Sequence, residues 1–244
     1  MFIDQFPFMP KFTLTVLRIT SNDWLRAQSS RSVQAGPRGV GVERKGMNDD
    51  YSTLLLSYTK GVDVVFDSDF SYSKLQFSYS QPWQIGGFGR LFSTLEMGKT
   101  FNTVPLGLLN VVPGNQTFFS NYGTFPNLDF YEFVTDTYIA LHLQHNFNGR
   151  LFSRIPLLRK LNLREIIGLR GVWGDLSDEN IALSMPATIN TPLQAPSDKI
   201  YYEYSVGIGN IFKILRVDFN FRGNYLDAPE ARPFSITGTF GFDF

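Results

Sequence analysis

The sequence predicts an all-β chain, an antiparallel transmembrane β-barrel with about eight strands present. Three observations lead there. Apolar and polar residues alternate with a period of two in one segment after another. Aromatic residues are abundant, with 24 Phe, 11 Tyr and 3 Trp among 244 residues, while the mean hydropathy is only −0.09. The connections between segments alternate between long and short, as in barrels with tight periplasmic turns and longer extracellular loops. Closure explains all three. Backbone groups in hydrocarbon must be paired, so a sheet enters a bilayer only by losing its edges, with apolar side chains facing lipid and polar ones the lumen.

The strands follow in order. Lys11 to Leu17 gives a possible early strand, and Ser52 to Lys60 a noisy one. Leu75, Phe77 and Tyr79 oppose Lys74, Gln76 and Ser78; Leu91, Leu95 and Met97 oppose Arg90, Thr94 and Glu96. Ile139, Leu141 and Leu143 oppose His142, Gln144 and Asn146. Asn162 to Trp173 alternates except where Glu165 interrupts the apolar face, and Tyr202 to Gly209 follows it. Leu215 to Tyr225 is the clearest, with Val217, Phe219 and Phe221 against Arg216, Asp218, Asn220 and Arg222. Phe234 to Phe244 closes the chain as the second strand of that hairpin. No segment has a convincing helical period.

Counted back from a periplasmic C-terminus, the long connections 101–134 and 174–200 fall outside. The short ones at Gln81 to Gln84 and Asn210 to Ile214 fall inside. The connections Val62 to Asp69 and Leu226 to Pro233 also fall outside. Asn148 to Leu161 belongs inside but is not tight, and its RLFSRIPLLRKL, apolar residues mixed with basic ones, reads as interfacial. The resulting organisation is a poorly defined segment 1–51, holding one strand and a loop, followed by barrel strands over 52–244. A soluble barrel alternates too, but with its apolar face inward. Large rings on the apolar face of nearly every strand, charged residues on the polar face and an aromatic-x-aromatic end favour the membrane.

Composition narrows the function classes. With 22 basic and 22 acidic residues the net charge is zero, so no nucleic-acid partner is implied. The absence of cysteine removes disulfides, thiolate metal sites and a cysteine nucleophile. Val104 to Val112, the nearest approach to a membrane helix, is broken by Pro105, Gly107 and Asn110. The start MFIDQFPFMPKF lacks the features of a signal peptide, so an exported protein would carry this chain as a fragment or mature form.

Candidate chemistry is thin. Parity turns His142 to the lumen and His145 to lipid with Asn146 nearby, but no serine pairs with either as a nucleophile. His145 and Asp136 lack the ligand spacing of a metal site. The sequence therefore predicts no catalytic residue, no metal and no cofactor. GGFGRL at 86–91 reads as a flexible strand start, and Asn115-Gln116-Thr117 as an acceptor triplet without meaning in a bacterial barrel. The lumen charges are Lys74, Arg90, Glu96, Arg164, Arg170, Glu203, Arg216, Asp218, Arg222 and Asp243. If Tyr225 pairs with Phe234, Arg216 faces Asp243. Such charges fill a lumen as a structural network or select a solute.

Resemblance adds to this reading. Phe240, Phe242 and Phe244, ending on a terminal Phe, resemble the signal by which outer-membrane proteins reach the barrel-assembly machinery. The stretches LLLSYTKG, YSKLQFSYSQ, VPLGLL followed by PGNQT, DFYEFVTDTY, FNGRLFSRIPLLRKLNLRE and EYSVGIGNIFKILRVDF resemble the C-terminal barrel of a Gram-negative outer-membrane family of unknown function. Its members begin with a carboxypeptidase-regulatory-like domain. That family is similar to the surface-antigen barrels of the outer-membrane assembly and translocation superfamily, which implies sixteen strands, with this chain as the second half. There the long loop carries an arginine-glycine-aromatic motif that folds into the lumen; here 101–134 has no Arg and ends NLDFYEF. The resemblance implies a bacterial outer-membrane protein with lipid and the assembly machinery as partners, together with an unidentified periplasmic or surface partner. The expected role is non-enzymatic transport, protein assembly or translocation. The alternatives are an anchor for a periplasmic domain or display of surface loops, and, more remotely, a soluble ligand-binding barrel.

Overall fold

A computed structural model describes residues 12–20, 52–61, 71–121, 123–184, 193–228 and 231–241. The chain is all-β. In order the strands are β1 (Phe12–Thr20), β2 (Thr53–Gly61), β3 (Tyr72–Gln84), β4 (Arg90–Phe101), β5 (Asn110–Val111), β6 (Val134–Thr135), β7 (Thr137–Asn146), β8 (Arg164–Asp175), β9 (Tyr201–Ile211), β10 (Leu215–Arg222) and β11 (Phe234–Phe240). Nine form one antiparallel sheet in the order β1-β2-β3-β4-β7-β8-β9-β10-β11, while β5 and β6 pair separately. All eight strands expected after residue 51 are present, and the early one runs from Phe12 to Thr20.

The sheet is open rather than a closed barrel: among the described residues no ladder joins β1 to β11. The outer edge of β11 is taken by the β4–β7 connection instead. Ser120 N–H donates to the Gly238 carbonyl and Gly238 N–H to the Phe118 carbonyl, both at 2.8 Å. Among the described residues α-helix is confined to one turn at Pro156–Arg159 and a seven-residue helix at Asp178–Ser184. Two turns are too few to show a period in the sequence.

Two local readings need correction, and a third acquires its cause. The β3–β4 ladder runs through to Gln84 opposite Arg90, so the turn is Ile85–Gly89. GGFGRL is that turn, because Gly86 and Gly89 adopt φ of 48° and 96° and a Cβ on Gly89 would lie 2.0 Å from the Asn146 carbonyl oxygen. Second, the last hairpin pairs Phe221 with Phe234 and Arg216 with Thr239, not with Asp243. β10 stops at Arg222, whose guanidinium binds the carbonyls of Asn224 and Tyr225, and Tyr225 (φ 54°) turns back onto the inner face. Third, Glu165 interrupts the apolar face because the 147–163 connector folds over it: the carboxylate accepts from Phe152 N–H, and its own carbonyl accepts from Phe147 N–H at 2.9 Å. The Val62 to Asp69 connection, Arg18 to Asp50 beyond β1, and residues 242–244 lie outside the described residues.

The two faces of the sheet differ sharply. Leu56, Leu75, Ile139, Ile167, Leu169, Tyr204, Val206 and Ile236 point away from the covered face and are exposed. The other face carries Thr94, His142, Glu203, Ser205, Asp218, Asn220, Arg222 and Thr237, all buried. Apolar side chains outside and polar ones covered is the reverse of a soluble sandwich or barrel.

The β4–β7 connection covers the inner face. Val112, Phe125, Leu128 and Phe133 pack on Ala140, Val172 and Tyr201, with Tyr138 and Tyr225 at the margin. A second cluster joins Val104, Leu109, Val134 and Leu176 to Tyr72. Each fully buried ring or leucine contributes about 1.5–3 kcal/mol toward offsetting the ordering entropy of the connection.

Candidate functional site

The inner face of β7–β10 gathers the charges. Cross-strand register places Thr94, His142, Arg170, Glu203 and Arg222 in one row, each opposite the next. A neighbouring row holds Gln144, Gly168, Ser205, Asn220 and Ser235. Alternation of period two makes this possible, because every inward position on one strand faces an inward position on the next.

Hydrogen bonds tie the rows together. Arg216 Nε donates to Asp218 at 2.9 Å and its Nη2 to Gln144 Oε1 at 3.0 Å. Arg170 reaches Asn220 Oδ1 at 3.5 Å, and Asn220 Nδ2 donates to Thr237 at 3.0 Å. Glycines make room: a Cβ on Gly207 would sit 2.1 Å from the Asp218 carboxylate. Of the predicted lumen charges, Arg170, Glu203, Arg216, Asp218 and Arg222 thus form one network. Lys74 and Glu96 also face inward but on β3 and β4, outside it. Arg90 and Arg164 lie at the end of the sheet nearest the short turns, and Asp243 is outside the described residues.

The connection locks onto this network through Glu132, which the sequence reading did not single out. Arg222 Nη2 donates to Glu132 Oε1 at 2.6 Å and Nη1 to Oε2 at 3.2 Å. The Arg222 side chain is wholly buried and that of Glu132 is 8 % exposed. Two parallel charge-assisted bonds fix the planar guanidinium strongly. Asn127 completes the clasp: its N–H donates to Glu203 Oε1 at 3.0 Å, which also accepts from the Tyr201 hydroxyl at 2.6 Å. The signal available in the sequence was a lone Glu among rings in NLDFYEF and an Arg at the end of an inward strand face.

A second clasp lies at the start of β7. Asp136 accepts from Ser177 N–H at 2.8 Å, Asn180 Nδ2 at 3.1 Å and Thr137 Oγ1 at 3.0 Å. Burial pushes this carboxyl up, but the bonds from Ser177, Asn180 and Thr137 outweigh burial and hold it below the ordinary carboxylate value. Asn115 is buried and forms a turn with Thr117, so the NQT triplet shapes the loop.

The other candidates separate. His142 packs beneath Phe125, ring centroids 5.1 Å apart, and lines a cavity of about 310 Å³ with Gln144, Arg170 and Arg216. His145, on the opposite face, bonds the Phe88 carbonyl at 2.9 Å and meets Phe147 edge to face. Asp136 and His145 lie at opposite ends of β7, roughly 30 Å apart at the usual rise per residue. Phe240 is exposed beside Phe119, with centroids 6.0 Å apart; Phe242 and Phe244 are not among the described residues.

Residues 41–178, more than half of the chain, match the C-terminal domain of a family of unknown function, DUF5686. The chain belongs to this family. No curated protein and no solved structure matches it. Within the DUF5686 match lie β2 to β8, the covering connection and Glu132. Arg222 and Glu203 lie beyond it.

Proposed function

We propose that this DUF5686 chain is the membrane-embedded wall of a bacterial outer-membrane β-barrel, with a non-enzymatic role in transport, protein assembly or translocation. The observation that carries the reading is the polarity of the sheet: a continuous exposed apolar face on one side and a covered, charged face on the other. Exposed apolar surface of this extent belongs against another apolar phase, and β2, β3, β4, β7, β8 and β9, at 9 to 13 residues per strand, suit a bilayer crossing. In this reading further strands of a larger, sixteen-strand barrel join at the edge of β1, and reach β11 only by displacing Phe118 to Ser120 from its edge.

The long β4–β7 connection lies within the lumen and plugs it, taking the place of a loop held by an arginine motif, with the charges exchanged: the carboxylate comes from the loop and the guanidinium from the wall. Its burial weighs against display of 101–134 as a surface loop. The test is gel migration of the chain refolded into detergent, with and without heating. A faster unheated band is expected; solubility and folding without detergent would overturn the reading.

A further inference from the structure

The two ends of the sheet carry opposite charge. The 147–163 connector and the start of β8 hold Arg150, Arg154, Arg159, Lys160 and Arg164 with no acidic residue until Glu165, which is buried. At the other end the connections hold Asp129, Asp175, Asp178, Glu179, Asp198 and Asp227, against Lys199 and Arg232 among the described residues.

The basic connector is not only charged. Its Leu157 is 78 % exposed and Leu161 is 57 % exposed, on and beside the Pro156–Arg159 turn. Between this turn and Asn210 lies a cavity of about 400 Å³, with Arg159, Arg164, Ser153, Asn148 and Asn162 on its walls and no carboxylate among its lining residues. Asn210 Nδ2 donates to the Asn162 carbonyl at 2.7 Å and holds the far wall in place.

We infer that this cavity binds the phosphodiester headgroup of an anionic phospholipid, with the acyl chains lying along Leu157 and Leu161 toward the apolar face of the sheet. The occupant must combine an anionic oxygen cluster with hydrocarbon, because arginines and exposed leucines share one short segment at the rim of that face; a bilayer lipid does. Guanidinium groups match phosphate oxygens by two parallel donors, and the asparagine side chains supply neutral donors. The inference rests on the membrane reading above.

The test uses the full chain folded in detergent, with bound lipid counted by native mass spectrometry. Phosphatidylglycerol and phosphatidylcholine of identical acyl chains are compared. Wild type is expected to retain phosphatidylglycerol at least about tenfold more strongly, and the Arg159→Gln/Arg164→Gln pair to lose that preference. Arg159→Gln alone, on an exposed turn, should lose part of it without affecting folding, while Lys199→Gln at the other end should leave it unchanged.

Equal retention of both lipids by a chain that still shows the faster unheated band would overturn the headgroup site and leave the barrel standing. Displacement of phosphatidylglycerol by inorganic phosphate, with the phosphate itself retained, would mark a free-phosphate site and overturn the lipid assignment. Absence of the faster band would overturn both.

Discussion

Arg222 and Glu132 form the contact on which the covered face depends. With both side chains out of water, removing one charge leaves the other buried and uncompensated. Glu132→Gln is therefore expected to cost about 3 kcal/mol, read as a lower urea midpoint of the refolded chain with an unchanged slope. An unchanged midpoint would mean that the clasp is a bystander. Asp136 makes a prediction of the opposite kind, in pH. Its folded value lies below the unfolded one, so its contribution is complete above the unfolded value of about 4 and is lost as pH falls through the folded value. Amide exchange at Ser177, the donor to Asp136, should accelerate over that acid range in wild type. Asp136→Asn should remove the dependence. At this scale the sequence was only half legible. Arg170, Glu203, Arg216, Asp218 and Arg222 were readable as one inward set from parity alone. Glu132 was not, because it lies in a connection whose path depends on where Phe125, Leu128 and Phe133 find apolar surface, and no local period encodes that.

At the scale of elements, the strands with strong alternation were found within a few residues, and the errors fell at turns. The alternation places the β3–β4 turn early, at Gln81 to Gln84, while Gly86 and Gly89 carry the backbone conformations that a turn needs. Gly89→Ala is expected to destabilise the chain by more than about 1 kcal/mol, since it meets both a positive φ and the Asn146 carbonyl; its urea midpoint measures this. The register of the last hairpin was missed for a related reason. The chain leaves the ladder after Arg222, and the Arg222 and Tyr225 side chains engage the connection, a tertiary demand that overrides the alternation running on to Tyr225. On β9, Val206 is 50 % exposed near the middle of the strand. Val206→Arg should cost about 2–4 kcal/mol if that face meets hydrocarbon, but within about 0.5 kcal/mol if it meets water. The yield of folded chain in vesicles, compared with Lys199→Arg, distinguishes these.

For the whole molecule, the order of strands and the two faces follow from sequence, whereas closure does not. Antiparallel neighbours joined by connections leave little freedom in topology, so a nine-stranded sheet in chain order is what alternation and loop lengths already imply. Whether a sheet closes is decided by what its edge strands pair with. Here the edge of β11 is met by Phe118 to Ser120 of the chain's own connection, which no strand pattern announces. The arrangement gives the covering connection two jobs, filling the inner face and occupying an edge.

The polarity of the sheet is the claim on which the rest stands, and the absence of cysteine makes it directly measurable. Single cysteines placed at Tyr204, Val206 and Ile208 on one face of β9, and at Ser205 and Asn220 on the other, would carry an environment-sensitive fluorophore in lipid vesicles. Quenching by acyl-chain nitroxides is expected at 204, 206 and 208, with little at 205 and 220. Quenching that does not alternate, or that falls on the charged face, would contradict that polarity.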